Sequence, residues 1–196
     1  MQYATQITSS SGVSPTVAKD SLDRPQRCLM APPLPGSEIY RSFRQMEISK
    51  IIVRQAIAND IDSIIQFNME MAYETEKITL SKHILRKGVS AVFEDSAKGF
   101  YIVAECDNRV VGQAMITYEW SDWRNGIFWW IQSVYVIPGY RRAGVFRSIF
   151  NQIKTMAEKS SNICGLRLYV DKYNAIAKSV YESLGMKASH YDLYES

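Results

Sequence analysis

The chain has 196 residues, of which 46% are hydrophobic and 22% charged, and its net charge is +3 at pH 7. This composition is typical of one soluble globular domain, and so small a charge gives no argument for nucleic acid or an anionic membrane as a partner. No apolar run approaches the roughly 20 residues that span a bilayer. Three distant cysteines without CxxC spacing predict no disulfide framework and no metal site, and they favour a reducing, cytoplasmic location.

Residues 1–45 differ from the rest because proline and glycine interrupt any periodic pattern, as at Pro32-Pro33 and Pro35-Gly36. We predict an irregular or disordered tail. It is not a secretory signal, since no basic start precedes an apolar core. The absence of acidic residues from its first part leaves an organelle transit peptide as the alternative to a plain tail.

Residues 46–196 are predicted to form one folded domain. The first half should contain a strand at 50–57, a helix capped by Asn59 or Asp60, and a helix from Ser81 toward Phe93 that breaks or bends at Gly88. Strands at 100–105 and 110–118, joined by a turn at Asp107-Asn108, and a long strand at 127–136 should follow. The chain should end with a helix from Val145, a strand at 165–170, a helix ended by Gly185, and a final strand at 190–193. This order predicts an α/β (α+β) fold with a mixed sheet.

The most informative segment is 134–150, VYVIPGYRRAGVFRSIF. A β-branched strand ends at Val136, and a basic turn with Arg141-Arg142 and Gly144 then leads into a helix with one apolar stripe. Such a turn offers backbone N–H groups and the positive end of a helix dipole, which suit a phosphate, and arginines add charge-assisted bonds. An ordinary turn with solvated arginines is the alternative.

A second motif, NxxAxxxYxxxGM, begins at Asn174 and includes Tyr181. Together with RRAGVF at 141–146, it resembles the GNAT superfamily of acetyl-CoA-dependent N-acetyltransferases, whose motifs are NxxAxxxYxxxGF and (Q/R)xxGx(G/A). Phe146 departs from the small residue usual in the family. The resemblance covers residue 51 to the C-terminus, and it implies a mostly antiparallel, twisted sheet with splayed central strands and about four flanking helices.

The resemblance also implies a binding site for acetyl-CoA. The pantetheine arm would pair with the backbone of Val134 and Val136, and an N–H near Val134 would polarise the thioester carbonyl. Asn174 would contact the same arm. The pyrophosphate would be held by the turn residues Arg141, Arg142, Ala143, Gly144 and Val145.

Direct attack of a primary amine on the thioester requires a proton acceptor and a proton donor. Tyr181 is the candidate acid at the departing thiolate, and simple packing of its ring is the alternative. Some family members carry a carboxylate in the long strand where this chain has Gln132 and Ser133, and neither is a base unaided. Glu119 and Asp122 are therefore the next candidates for the base, directly or through a water chain, and a solvated loop is the alternative for both.

Glu74 and Glu76 at the end of the first helix could form an acidic rim for a cationic amine together with Glu119 and Asp122. Trp123 is the candidate for a cation–π contact. Solvated glutamates, and packing of the aromatic rings in the core or on a dimer surface, are the alternatives. Trp129 and Trp130 should lie on opposite faces of their strand. We predict acetyl transfer to a primary amine of a small molecule. Acetylation of a protein lysine or N-terminus, a non-catalytic acetyl-CoA-binding regulatory module and a ligand-free structural oligomer stay open. Family members are often dimers, so a homodimer is also open.

Overall fold

The computed structural model describes residues 51–193, and the tail predicted at 1–45 lies outside them. The strands are β1 (Ile52–Gln55), β2 (Phe100–Cys106), β3 (Arg109–Ser121), β4 (Gly126–Val136) and β5 (Ile163–Leu168). The α-helices are α1 (Ile61–Glu76), α2 (Lys82–Glu94), α3 (Val145–Glu158) and α4 (Ala175–Ser183). Within the described residues, no helix combines the length and the apolar character that crossing a membrane requires.

The five strands form one open sheet in the order β1-β2-β3-β4-β5. All neighbours are antiparallel except β4 and β5, which are parallel. Pairing between β4 and β5 ends at Ile131 and Leu168, so residues 132–136 have no strand partner on that side. This separation is the predicted splay. The mixed, mostly antiparallel sheet with four flanking helices confirms the predicted fold class.

The two faces of the sheet carry different helices. Helix α3 buries the apolar stripe that its sequence predicts, with Val145, Ile149 and Ile153 at 2% exposure or less, against side chains such as Ile102 and Ile116. Helices α1 and α2 cover the other face. Their contacts include Ile64, Ile65, Val89, Val92, Tyr101 and Val103. Alternation along each strand sends one set of side chains to each layer.

An ion-pair network fixes the start of α1 to the sheet edge. Asp60 is 5% exposed, and its carboxylate accepts hydrogen bonds from Arg54 and from the N–H of Ile57. Burial alone would raise the pKa of Asp60, but these bonds outweigh it and lower the pKa. Arg54 also pairs with Glu105 at 2.6 Å. Asp60 therefore occupies the predicted N-cap position without capping α1 through its side chain.

Two predicted features differ from the structure. Helix α2 continues unbroken through Gly88, because a single glycine costs a helix only about 1 kcal/mol and Ser81 caps this one at its start. Residues 190–193 form no strand. All four are exposed, so this segment has no buried face to hold it against the sheet.

Candidate active site

A β-bulge in β4 lies at the point where β4 leaves β5. There Ser133 and Val134 together oppose the single residue Ala114 of β3. Ser133 has a φ of 49°, a left-handed conformation that is uncommon for residues other than glycine. At this point, where β4 separates from β5, the backbone around Val134 is therefore paired with neither β3 nor β5.

A buried pair of amides holds this bulge from the α1 side. Gln113 Nε2 donates to the Ser133 carbonyl at 3.2 Å and to Asn68 Oδ1 at 2.8 Å. Gln113 is completely buried and Asn68 is 5% exposed. Gln113 Oε1 has no hydrogen-bond partner within residues 51–193. Neither residue was predicted from the sequence, although a glutamine inside the apolar run VVGQAMI and an asparagine beside Phe67 on the apolar side of a helix were the available signals.

The turn between β4 and α3 has the features of an anion site. Arg142 and Gly144 have φ values of 63° and 81°, and no side chain caps the helix that follows. The first helical bond runs from Ser148 N–H to the Gly144 carbonyl, so the preceding N–H groups, including those of Ala143 and Val145, lie ahead of the helical ladder. Uncapped amides at a helix N-terminus suit a phosphate.

Arg141 connects this turn to α1. Its Nε donates to the Val136 carbonyl at 2.7 Å, and Nη2 donates to Glu74 Oε2 at 2.6 Å. Glu74 also accepts from the Tyr135 hydroxyl at 2.9 Å, and the Arg141 guanidinium lies 5.3 Å from the Tyr135 ring centroid. The structure thus pairs a predicted cofactor residue, Arg141, with a predicted substrate residue, Glu74.

Tyr181 lies on α4, against the first turn of α3. Its ring meets Phe146 edge-on, with centroids 5.6 Å apart and planes at 68°. Burial raises the pKa of the Tyr181 hydroxyl, so the phenol stays protonated at neutral pH. The Phe146 ring centroid also lies 6.2 Å from that of Phe150, one turn farther along α3. Its contact with Tyr181 therefore places the Phe146 ring between α3 and α4.

Asn174 caps α4, because its side-chain oxygen accepts from the Ala177 N–H at 2.9 Å. That oxygen is committed to the helix, and the side-chain NH₂ group is the part that could donate to a ligand.

Glu119 lies on β3 some distance from the bulge. Its carboxylate accepts from Arg167 at 2.6 Å and from the indole N–H of Trp130. Four residues separate it from Met115, which pairs with Gln132 beside the bulge. At the usual rise per strand residue this is about 13 Å. Of the two predicted ways in which Glu119 could act as the base, this distance favours the water chain over direct contact.

Asp122 and Trp123 lie beyond the end of β3, in the turn to β4. Ser121 is six residues from Met115, or about 20 Å along the strand, and Trp123 is 87% exposed. The structure therefore does not bring these two predicted substrate residues together with Glu74 and Glu76. Trp129 is buried and Trp130 is half-buried, on opposite faces as predicted.

A cavity of about 420 Å³ opens between α1, α2 and the sheet, and Ser133 of the bulge lines it. Asn68, Thr75 and Glu76 supply its other polar groups. The rest of the lining is nonpolar apart from one phenol: Met71, Ala72, Leu80, Leu85, Gly88, Val89, Val92, Tyr101 and Met115. Within residues 51–193, no cluster of three or more His, Cys, Asp or Glu side chains could hold a metal ion.

Known proteins share this architecture. Residues 60–186 match the model of the acetyltransferase (GNAT) family. The crystal structure of a possible acetyltransferase from Clostridium difficile 630 is 51% identical in sequence, with a TM-score of 0.70. The match covers 74% of this chain and 96% of that protein.

More distant structures share the fold. A predicted acetyltransferase with acetyl-CoA from Clostridium acetobutylicum is 18% identical, with a TM-score of 0.62, over 74% of this chain and 96% of its own. An aminoglycoside acetyltransferase from an uncultured soil metagenomic sample, in complex with sisomicin, is 16% identical, with a TM-score of 0.61. That match covers 76% of this chain and 97% of the other. No curated protein matches the chain.

Proposed function

The chain belongs to the GNAT family of acetyl-CoA-dependent acetyltransferases, and we propose that it transfers acetyl from acetyl-CoA to the primary amine of a small molecule. The observation that carries this choice of acceptor is the cavity at the bulge. It is a concave site of about 420 Å³ with few polar groups. That volume falls within the range of about 300–1,000 Å³ that is usual for small-molecule sites.

The residues at the splay fit acetyl-CoA. Residues 132–136 have lost their β5 partner, so Val134 and Val136 can pair with an extended pantetheine arm. The uncapped start of α3, with Ala143, Gly144 and Val145, suits the pyrophosphate. Arg142 is exposed and can contribute its charge there. Arg141 would join it after exchanging its bond to Glu74 for one to phosphate.

The chemistry requires one bond to form and one to break. The lone pair of the neutral amine attacks the thioester carbon, the C–S bond breaks, and the nitrogen loses a proton while the sulfur gains one. The N–H near Val134 would donate to the carbonyl oxygen as negative charge develops on it. Tyr181 would donate to the sulfur, and the raised pKa of its hydroxyl keeps that proton in place until it is needed.

Water is the proton acceptor that suits this geometry. The side chains next to the bulge, Gln132, Ser133 and Asn68, are neutral, and Gln132 Nε2 donates to Thr117 Oγ1. Glu119 would then serve only as the far end of a water relay. An alkylamine with a pKa near 10 is mostly protonated at pH 7, so the rate should rise with pH as the neutral fraction grows.

Two measurements test the proposal in sequence. Acetyl-CoA should raise the Tm by ligand linkage, by an amount that grows with its concentration. An amine panel that includes lysine peptides and free peptide N-termini, read out by released thiol, should show turnover with small amines. Peptide turnover alone would move the acceptor class to proteins. A Tm shift with no turnover on any amine would favour the non-catalytic module.

A further inference from the structure

We infer that the cavity between α1, α2 and the bulge selects a primary amine carried on an uncharged apolar body, and this inference rests on the proposed function. Nine of its thirteen lining residues have no charge and, apart from the Tyr101 hydroxyl, no polar side-chain group. Burying a methylene group against such a wall is worth about a fourfold gain in binding. A polar body would instead lose hydrogen bonds to water that this wall does not replace.

The charge of the lining points to the same class of acceptor. Glu76 is the one ionisable residue of the lining that carries a charge at neutral pH, and neither a lysine nor an arginine lines the cavity. A cationic amine is therefore attracted and an anionic acceptor is not matched. Glu76 is exposed, so water solvates its carboxylate and no lysine or arginine is needed to pair with it.

The polar groups are divided between the two ends of the cavity. Asn68 and Ser133 mark the end at the bulge, where the nitrogen meets the thioester. Glu76 is eight residues farther along α1, about 12 Å away at the helical rise. The stretch between them is formed by apolar side chains such as Met71, Leu85 and Val89. The amine therefore lies at the inner end and the apolar body extends toward the mouth.

Gly88 supplies an independent indication of a ligand. It lies in the middle of α2, where alanine would be the more stable choice. A Cβ at this position would meet nothing within 4 Å, so neither packing nor backbone conformation requires glycine. Gly88 is exposed and lines the open side of the cavity, so a large side chain there would narrow it. We assign to Gly88 the role of leaving room for the acceptor body.

A matched amine series tests the selectivity. With saturating acetyl-CoA, kcat/KM should rise from propylamine to hexylamine by at least about tenfold, given about fourfold per buried methylene. The equally long 6-aminohexanol should fall below hexylamine, because the apolar wall offers its hydroxyl no hydrogen-bond partner. A flat series with measurable turnover would overturn this inference and leave the proposed function standing. The same would follow if 6-aminohexanol were preferred.

Substitutions in α2 test whether Gly88 contributes to this selectivity for longer amines. Gly88→Leu should lower the ratio of kcat/KM for hexylamine to that for propylamine by about tenfold, and Gly88→Ala should lower it less. Both should keep or raise the Tm, since leucine and alanine favour a helix more than glycine does. Lys87→Leu adds the same side chain at an exposed neighbour outside the cavity. An equal fall in that variant, or an unchanged ratio in folded Gly88→Leu, would refute the assignment.

Discussion

The two sides of the splayed strand are built from different parts of the chain. On the α3 side, the groups proposed to hold the cofactor are mainly backbone amides of one continuous segment, from the bulge at Val134 to the helix start at Val145. On the α1–α2 side, the cavity proposed for the acceptor is lined by side chains from α1, α2 and three strands. The first site depends on φ and ψ, whereas the second depends on the identity and volume of each side chain.

This difference predicts how each side tolerates substitution. Apart from Arg141 and Arg142, whose charges are proposed to contact the pyrophosphate, most side-chain changes around the cofactor turn should leave acetyl-CoA binding intact unless they alter the backbone conformation. Truncating a side chain that lines the cavity should directly change the selectivity for the acceptor. The exceptions test the contrast most sharply.

Tyr181 is the exception on the α3–α4 side, because there a side chain is proposed to take part in the chemistry. Tyr181→Phe should lower kcat by about 100-fold, the usual contribution of a positioned acid, with little change in the Kd of acetyl-CoA. The phenyl ring would keep its edge contact with Phe146. Tyr173→Phe is the matched control, since Tyr173 is 94% exposed. Equal kcat values for the two variants would return Tyr181 to a packing role.

Gly144 tests whether backbone conformation governs the cofactor turn. Its φ is 81°, and a Cβ would meet nothing within 4 Å, so a substitution acts through strain and not through a clash. Gly144→Val should weaken acetyl-CoA binding by about tenfold, because an L-residue pays roughly 1–2 kcal/mol in this region. Gly144→Asn should retain most of the affinity. Isothermal titration giving wild-type Kd values for both would place the phosphates elsewhere.

The strand, turn and helix that are proposed to hold the cofactor were predictable because they depend on local sequence. A strand, a basic turn with Gly144, and an amphipathic α3 follow one another in the chain, so their spacing alone indicates the geometry. Even so, the sequence did not reveal that Arg141 pairs with Glu74, 67 residues earlier. It also did not show that Asn174 uses its side-chain oxygen to cap α4.

The acceptor side was less predictable because its residues meet only through the tertiary fold. Asn68, Gly88 and Ser133 lie on three elements, and none stands in a recognisable spacing with another. Gly88 was expected to break or bend α2, yet the helix continues through it, and the role that we assign to it is to leave space. Glu119 was chosen as base from its place in the chain, and its partner Arg167 is 48 residues away.

Gln113 tests the contrast from the acceptor side. Gln113→Leu should cost about 1–3 kcal/mol of unfolding free energy, because Asn68 Oδ1 and the Ser133 carbonyl lose their buried donor. A relaxed bulge should also misalign the N–H at Val134 and lower kcat by about tenfold, part of the usual effect of losing an oxyanion donor. Val103→Ala, at the buried position paired with Gln113, is the control for stability alone. Equal kcat values in the two variants would show that the bulge does not need Gln113.

Glu119 should give the smallest effect. Its carboxylate is bonded to Arg167 and Trp130, so Glu119→Gln removes one ion pair that braces β3 against β5 and leaves the bulge untouched. We expect kcat to change by less than about threefold, against the 10²–10⁴-fold typical of a lost general base. The rise of kcat/KM toward alkaline pH should persist, because it reflects deprotonation of the amine itself. If that limb flattens in Glu119→Gln while the stability matches that of Arg167→Gln, a relay of water molecules carries the proton about 13 Å along the strand to Glu119. The acceptor side would then contain a catalytic carboxylate after all, at a distance that only ordered water can bridge.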